Sequence, residues 1–190
     1  VAVVVTRAAT AIGAIVWNGG EGVYERVRKE MERFFGVDGR RIAHAREVAS
    51  HALAIQSVEG GDREIVTMTS LLHDVGIKPA EERYKSSAGH HQENLGPPIA
   101  GEILGNMGVD ERAIAVVKEL IAHHHTPGRI ATKEFACLWD ADCIVNLREI
   151  VPGMGPEKIR ALIDRKLLTK EGKRIARELF LPELPAGETP

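Results

Sequence analysis

From residue 22 onward, apolar residues recur every three or four positions, and each such run is closed by Gly, Pro or a short polar cluster. That period belongs to the α-helix, because strands alternate at every second residue. In VYERVRKEMERFF, Val23, Val27, Met31 and Phe34 share one face, and Gly36 follows as a stop. A second helix opens at Asp38 as N-cap, carries His44 and His51, and runs to the turn EGGD at residues 59–62. Asp62 caps a third, REIVTMTSLLH, whose stripe of Ile65, Met68 and Leu72 leads to the pair His73-Asp74 and a turn at Gly76.

Residues 79–98, PAEERYKSSAGHHQENLGPP, lose the period and predict a long polar loop. In a compact domain such a segment is more often a lid or binding loop than a mere connection. Helices resume at IAGEILGNM, with Pro97 and Pro98 in its first turn, and then at ERAIAVVKELIAHHH, KEFACLWDADCIVNLREI, PEKIRALIDRKL and TKEGKRIARELF. With no convincing strand-period run past the N-terminus, the expected class is all-α, a compact multi-helix bundle.

A chain of 190 residues with 44% hydrophobic content can bury one sizeable core. Residues 22–182 are therefore read as a single helical domain, 183–190 as a flexible tail, and 1–21 as an N-terminal segment of open character. That segment is apolar, but Arg7 interrupts it and it falls short of the roughly 20 apolar residues of a spanning helix. No membrane association is expected. A net charge of -2 with 27% charged residues argues against disorder and against sequence-independent binding of DNA or RNA. Cys137 and Cys143 lie on one predicted helix about 9 Å apart in rise, too far to bridge, which suggests reduced thiols and a cytoplasmic protein.

The eight histidines are unevenly placed: His44, His51, His73, His90-His91 and His123–His125. Neutral imidazole and carboxylate are the ligands of borderline divalent metals. At about 100° per residue, Asp142 falls within about 60° of Phe135, Leu138 and Trp139, whereas Asp140 points away from that stripe. A carboxylate on a buried face needs a counter-charge, which a metal supplies. His124 continues the stripe of Leu120 and Ile121 and is the inward member of its triplet. His44 shares a helix face with His51, which is expected to support the site or the core.

The order His44, His73-Asp74, Asp142, in the contexts LLHDVGI, GPPIAGEIL, HHH and LWDADCIVNL, resembles the HD superfamily of metal-dependent phosphohydrolases. Its signature is H…HD…D on an all-α bundle, and the likeness spans roughly residues 42–147. The resemblance implies that His44, His73, Asp74 and Asp142 hold one divalent ion, whether Fe, Mn, Ni, Co, Zn or Mg. It further implies hydrolysis of a phosphomonoester or nucleotide by activated water, with Asp74 orienting that water and His124 serving the phosphoryl oxygens or the leaving group. Members with two ions add histidines between the HD pair and the last aspartate, here His90, His91, His124 and His125. The GYP signature of one such subfamily is absent, and Gly96 stands near the place of its histidine.

Lys78, Arg83 and Lys85, all close after the HD pair, are candidates for the substrate phosphate. The expected partner is a small phosphorylated, nucleotide-like substrate, and homo-oligomerisation is open. Two other readings stand beside this one. An HD-fold di-iron oxygenase would use the extra histidines, and a non-catalytic metal-stabilised nucleotide-binding or signalling module would use the basic stretch GPEKIRALIDRKLLTKEGKRIAREL.

Overall fold

The structure, a computed structural model, describes residues 22–181; the expectations for residues 1–21 and for the tail at 183–190 lie outside the described residues. Among the described residues the chain forms nine helices and no strand. They are α1 (Val23–Phe35), α2 (Gly39–Glu59), α3 (Arg63–Leu72), α4 (Ile77–Tyr84), α5 (Gly89–Asn106), α6 (Glu111–Ile121), α7 (Lys133–Ile150), α8 (Pro156–Lys166) and α9 (Lys170–Phe180).

Side-chain caps set several of the starts. Asp38 accepts from Arg41 N at 3.1 Å, and Asp62 accepts from Glu64 N at 2.9 Å and Ile65 N at 3.1 Å. Asp110, Thr132 and Thr169 do the same for α6, α7 and α9. Each such cap satisfies backbone donors left open at a helix start and stabilises by about 1 kcal/mol.

The helices enclose two apolar clusters. One gathers Val27, Met31, Leu71, Leu72, Leu104 and Ile121, and the other Val48, Ile55, Leu138, Ile144 and Ile163. Helix α2 gives Ala45 and Ala49 to the first and Val48, Ala52 and Ile55 to the second, while α7 gives Phe135 to the first and Leu138, Ala141 and Ile144 to the second. Both helices lie between the clusters and bury more than one face. A residue's angle from a single apolar stripe is a poor guide there.

The long polar loop expected at residues 79–98 is absent. The segment is helical in α4 and in the first half of α5, with only residues 85–88 between them. Pro97 and Pro98 lie inside α5 instead of in its first turn. The inward face of α5 carries Gln92, Gly96, Ala100 and Leu104, one residue every turn. Its first two members are not apolar, so the helical period is present but invisible to hydrophobicity.

Glycine is required on that face by close approach. A Cβ on Gly76 would lie 2.5 Å from Gln92 O and 2.8 Å from Gly96 N, and one on Gly96 would lie 2.9 Å from the Ile121 side chain. The turn after α3 therefore meets α5 backbone to backbone. The helix expected to run through His125 stops at Ile121, leaving His123–His125 in the turn that follows. Gly76→Ala should force α5 away from the turn and lower stability by about 1–3 kcal/mol in urea unfolding, as overpacking does.

Candidate metal centre

Two of the site's histidines sit just past helix ends, where backbone carbonyls lack intrahelical partners. His73 follows α3 and donates from Nδ1 to Ser70 O at 2.9 Å; His124 follows α6 and donates from Nδ1 to Ile121 O at 2.7 Å. With Nδ1 carrying the proton, each Nε2 presents a lone pair. Both side chains are only 1% exposed, and neither Nε2 has a hydrogen-bond partner. Orphaned buried acceptors of this kind are rare in folded proteins.

Carboxylates face those lone pairs. Asp74 Oδ2 is 3.5 Å from both His73 Nε2 and His44 Nε2, and its Oδ1 is 3.6 Å from His124 Nε2. Asp142 Oδ1 is 3.1 Å from His44 Nε2 and 3.7 Å from His73 Nε2. Asn146, one turn along α7, donates to the same Asp142 oxygen at 2.9 Å. The structure thus brings together His44 from α2, His73-Asp74 from the turn after α3, His124 from the turn after α6, and Asp142 from α7.

This donor set fits a divalent ion. Two ligands about 2.0–2.2 Å from a shared ion, at 90–110° to each other, lie roughly 2.8–3.6 Å apart, close to the spacings between imidazole and carboxylate here. The ligand atoms of His44, His73 and Asp74 lie within 4.8 Å of one another, as do those of Asp74, His124 and His125.

The charges support the same conclusion. Burial opposes a charged His73, but Asp74 and then Asp142 outweigh it and lift its pKa to about 9. Burial likewise opposes ionised carboxylates, yet His73 and His124 hold Asp74 well below the usual range, and His44 and His73 do so for Asp142. The pocket attracts a positive charge, whether a proton or a metal.

The two aspartates of Asp-Ala-Asp divide their work, but not for the reason that helical phase suggested. Asp140, expected to point away from the buried face, is 0% exposed. It accepts from Leu168 N at 2.7 Å, Thr169 N at 2.8 Å and Thr169 Oγ1 at 2.6 Å, joining α7 to the start of α9. Helix α7 is covered on both sides, so the more accessible carboxylate, Asp142, is the one that reaches the ligand cluster.

The cluster opens into a cleft of about 660 Å³ whose wall includes His44, Asp74, Asp142 and His125. His125 packs against the start of α5, where a Cβ on Gly89 would lie 2.8 Å from its ring. Glu93 holds the same turn by accepting from His125 N at 3.0 Å and Thr126 Oγ1 at 2.9 Å. His90 and His91 are not brought to the cluster: His91 stacks on Tyr84 with centroids 4.0 Å apart, and His90 is exposed beside it. His51 lies 4.0 Å from Glu47 and does not line the cleft.

Lys78, Arg83 and Lys85 are exposed and do not line this cleft either. Because α4 is a helix instead of a loop, Lys78 and Arg83 are held exposed on it and Lys85 caps its end. Arg83 sits over the Tyr84 ring, and Lys85 donates to Glu82 O at 3.2 Å. The cationic groups of the wall are Arg40, Arg41 and Arg148, which sequence reasoning missed. For Arg41 the available signal was phase, since it lies one turn before His44; at six residues after Asp142, Arg148 is about 120° round α7 and phase gives no such signal. Arg41 is clamped by Asp38 at 2.6 Å and by both oxygens of Glu81 at 2.7 and 2.8 Å.

Residues 41–171 match the family model of the HD domain. A predicted HD superfamily hydrolase from an uncultured Thermotogales bacterium is similar in fold, with TM-score 0.56 and 23% identity over 82% of each chain. An HD-superfamily hydrolase from Bacillus thuringiensis is also similar, with TM-score 0.55 and 22% identity over 83% of this chain and 88% of the other. No curated protein matches in sequence.

The division between the two aspartates is open to direct measurement. Asp140→Ala should lower unfolding free energy by about 1–3 kcal/mol while leaving bound divalent metal by elemental analysis, because it unpairs buried donors far from the ligands. Asp142→Ala should reverse that pattern, losing metal with a smaller cost in stability.

Proposed function

Because this chain belongs to the HD-domain family, we propose that it is a metal-dependent phosphohydrolase acting on a small phosphomonoester or nucleotide. The observation that supports this most is the pair of buried, unpartnered Nε2 atoms of His73 and His124 facing the two oxygens of Asp74. His44, His73, Asp74 and Asp142 would hold the ion. When bound, a divalent ion supplies Lewis acidity toward a phosphoryl oxygen and makes hydroxide available near neutral pH.

The chain's own groups do the rest. Asp74 presents one oxygen toward His44 and His73 and the other toward His124, so it can orient a water between them. His124 donates its Nδ1 proton to the backbone, so its Nε2 accepts a proton as the neutral ring and donates only as imidazolium. It is the group to return that proton to the departing ester oxygen. The burial of the His73 and His124 side chains strengthens their electrostatic contacts with Asp74.

A second reading has one specific observation in its favour. The convergence of Asp74, His124 and His125 offers ligands for a second ion, as a di-iron oxygenase would need. Two irons per chain with oxygen consumption and no phosphate release would decide for that reading. A cytoplasmic setting accords with the two unbridged thiols, Cys137 and Cys143, and no described helix is long and apolar enough to cross a membrane.

The test is elemental analysis of the purified protein followed by phosphate release from nucleoside mono-, di- and triphosphates with Mn, Co, Ni, Fe and Mg. His73→Ala and Asp74→Ala should each lose bound metal and reduce turnover by at least about 100-fold, since each removes a ligand. A His73→Ala protein with full metal content would refute the site.

A further inference from the structure

Gln92 lines the cleft, is 4% exposed, and belongs to none of the groups assigned so far. Its Nε2 donates to Ser87 O at 2.6 Å. Only the amide NH₂ can face a carbonyl, so the side chain is held in one orientation and its Oε1 is the group left over. That Oε1 is buried and has no partner in the protein. Whatever completes it must be a hydrogen-bond donor, because a buried acceptor left unmade is costly.

The reacting part of the substrate cannot be that donor, since a phosphoryl group near neutral pH presents acceptors. The wall around it has the same bias. Of its three guanidiniums, Arg41 is held by Asp38 and Glu81 and Arg148 by Glu47, while Arg40 stands exposed 3.7 Å from Glu149; the carboxylates of Asp38, Glu47, Glu81 and Glu149 share that wall. Away from the ligand cluster, the cleft offers acceptors and asks for donors.

Resting on the phosphohydrolase reading, we propose that Gln92 is a specificity-determining residue. Its Oε1 accepts a hydrogen bond from a hydroxyl or ammonium group on the alcohol part of the substrate. The cleft therefore takes phosphomonoesters that carry such a donor near the ester oxygen in preference to those that lack one. A site built around a hydrogen bond discriminates against the analogue that cannot make it, because the protein group is then left unpaired.

Glycerol 3-phosphate and O-phosphoethanolamine supply a hydroxyl and an ammonium donor, and propyl phosphate supplies neither. With the metal-loaded full chain, kcat/KM from phosphate release and affinity from calorimetry should both favour at least one donor-bearing ester over propyl phosphate by roughly tenfold or more. Which of the two is favoured identifies the donor. Gln92→Met should bring that ratio to within about twofold of unity, and Gln92→Asn, which withdraws the carbonyl by one methylene, should reduce it in the same direction.

A wild-type protein that treats the three esters alike overturns the proposal without any variant. A Gln92→Met protein that slows all three equally and keeps the ratio overturns it as well, and shows that Oε1 holds a water instead. A preference in affinity that depends on Gln92, with no phosphate release from these esters or from the nucleoside phosphates, defeats the hydrolase reading and leaves this one standing. Turnover with no preference does the reverse.

Discussion

Two imidazole N–H groups, donated to carbonyls at the ends of α3 and α6, determine what this cluster can do. Each bond uses the ring nitrogen that would otherwise compete for a proton, and turns the other toward Asp74. Because the carbonyls belong to helix termini, the ring orientation is tied to where the helices stop. The turn that carries His73 packs directly on α5, because Gly76 has no side chain to hold that helix away. Backbone packing and ligand orientation are one arrangement here.

The second constraint is the position of α7 between two apolar clusters. A helix covered on both sides must satisfy every polar group it buries, and the Asp-Ala-Asp run shows two solutions. Asp140 does so with the backbone and hydroxyl donors at the start of α9, and Asp142 with the His44 imidazole at 3.1 Å and the Asn146 amide. One carboxylate joins α7 to the start of α9 while the other, two residues on, faces the histidine cluster. The cleft outside them is lined by Arg41 and Arg148, which carboxylates hold, by an exposed Arg40, and by the acceptors of Asp38, Glu47, Glu81 and Glu149.

Much of the framework was legible in local sequence. Asp38 and Asp62 were read as caps and act as caps, because capping needs only a short polar side chain beside the first turn. The stripe of α1 was read nearly right, with Val27 and Met31 buried but Phe35 in the place expected for Phe34; in α3 the expected Ile65, Met68 and Leu72 do face one cluster, yet the helix is buried all round and gives Val66 to the other. The reading failed at residues 79–98, where the inward face of α5 is built from Gln92 and Gly96 and the apolar period disappears. That failure moved three cations: Lys78 and Arg83 on α4 and Lys85 at its end are exposed away from the cleft, whose cations come from α2 and α7.

The sequence by itself determined the helical class and the HD-type order of His44, His73-Asp74 and Asp142, which follow from periodicity and motif order. His124 is buried as expected, but in the turn after α6 and not on the helical stripe that suggested it. Tertiary structure alone decided which histidines meet. His125 packs against Gly89, whereas His91 stacks on Tyr84, a difference that no spacing along the chain encodes. It also decided that Asp140 is buried and that Gln92 keeps an open acceptor at the cleft, because burial and unmet valences depend on what the neighbouring helices bring to the contact.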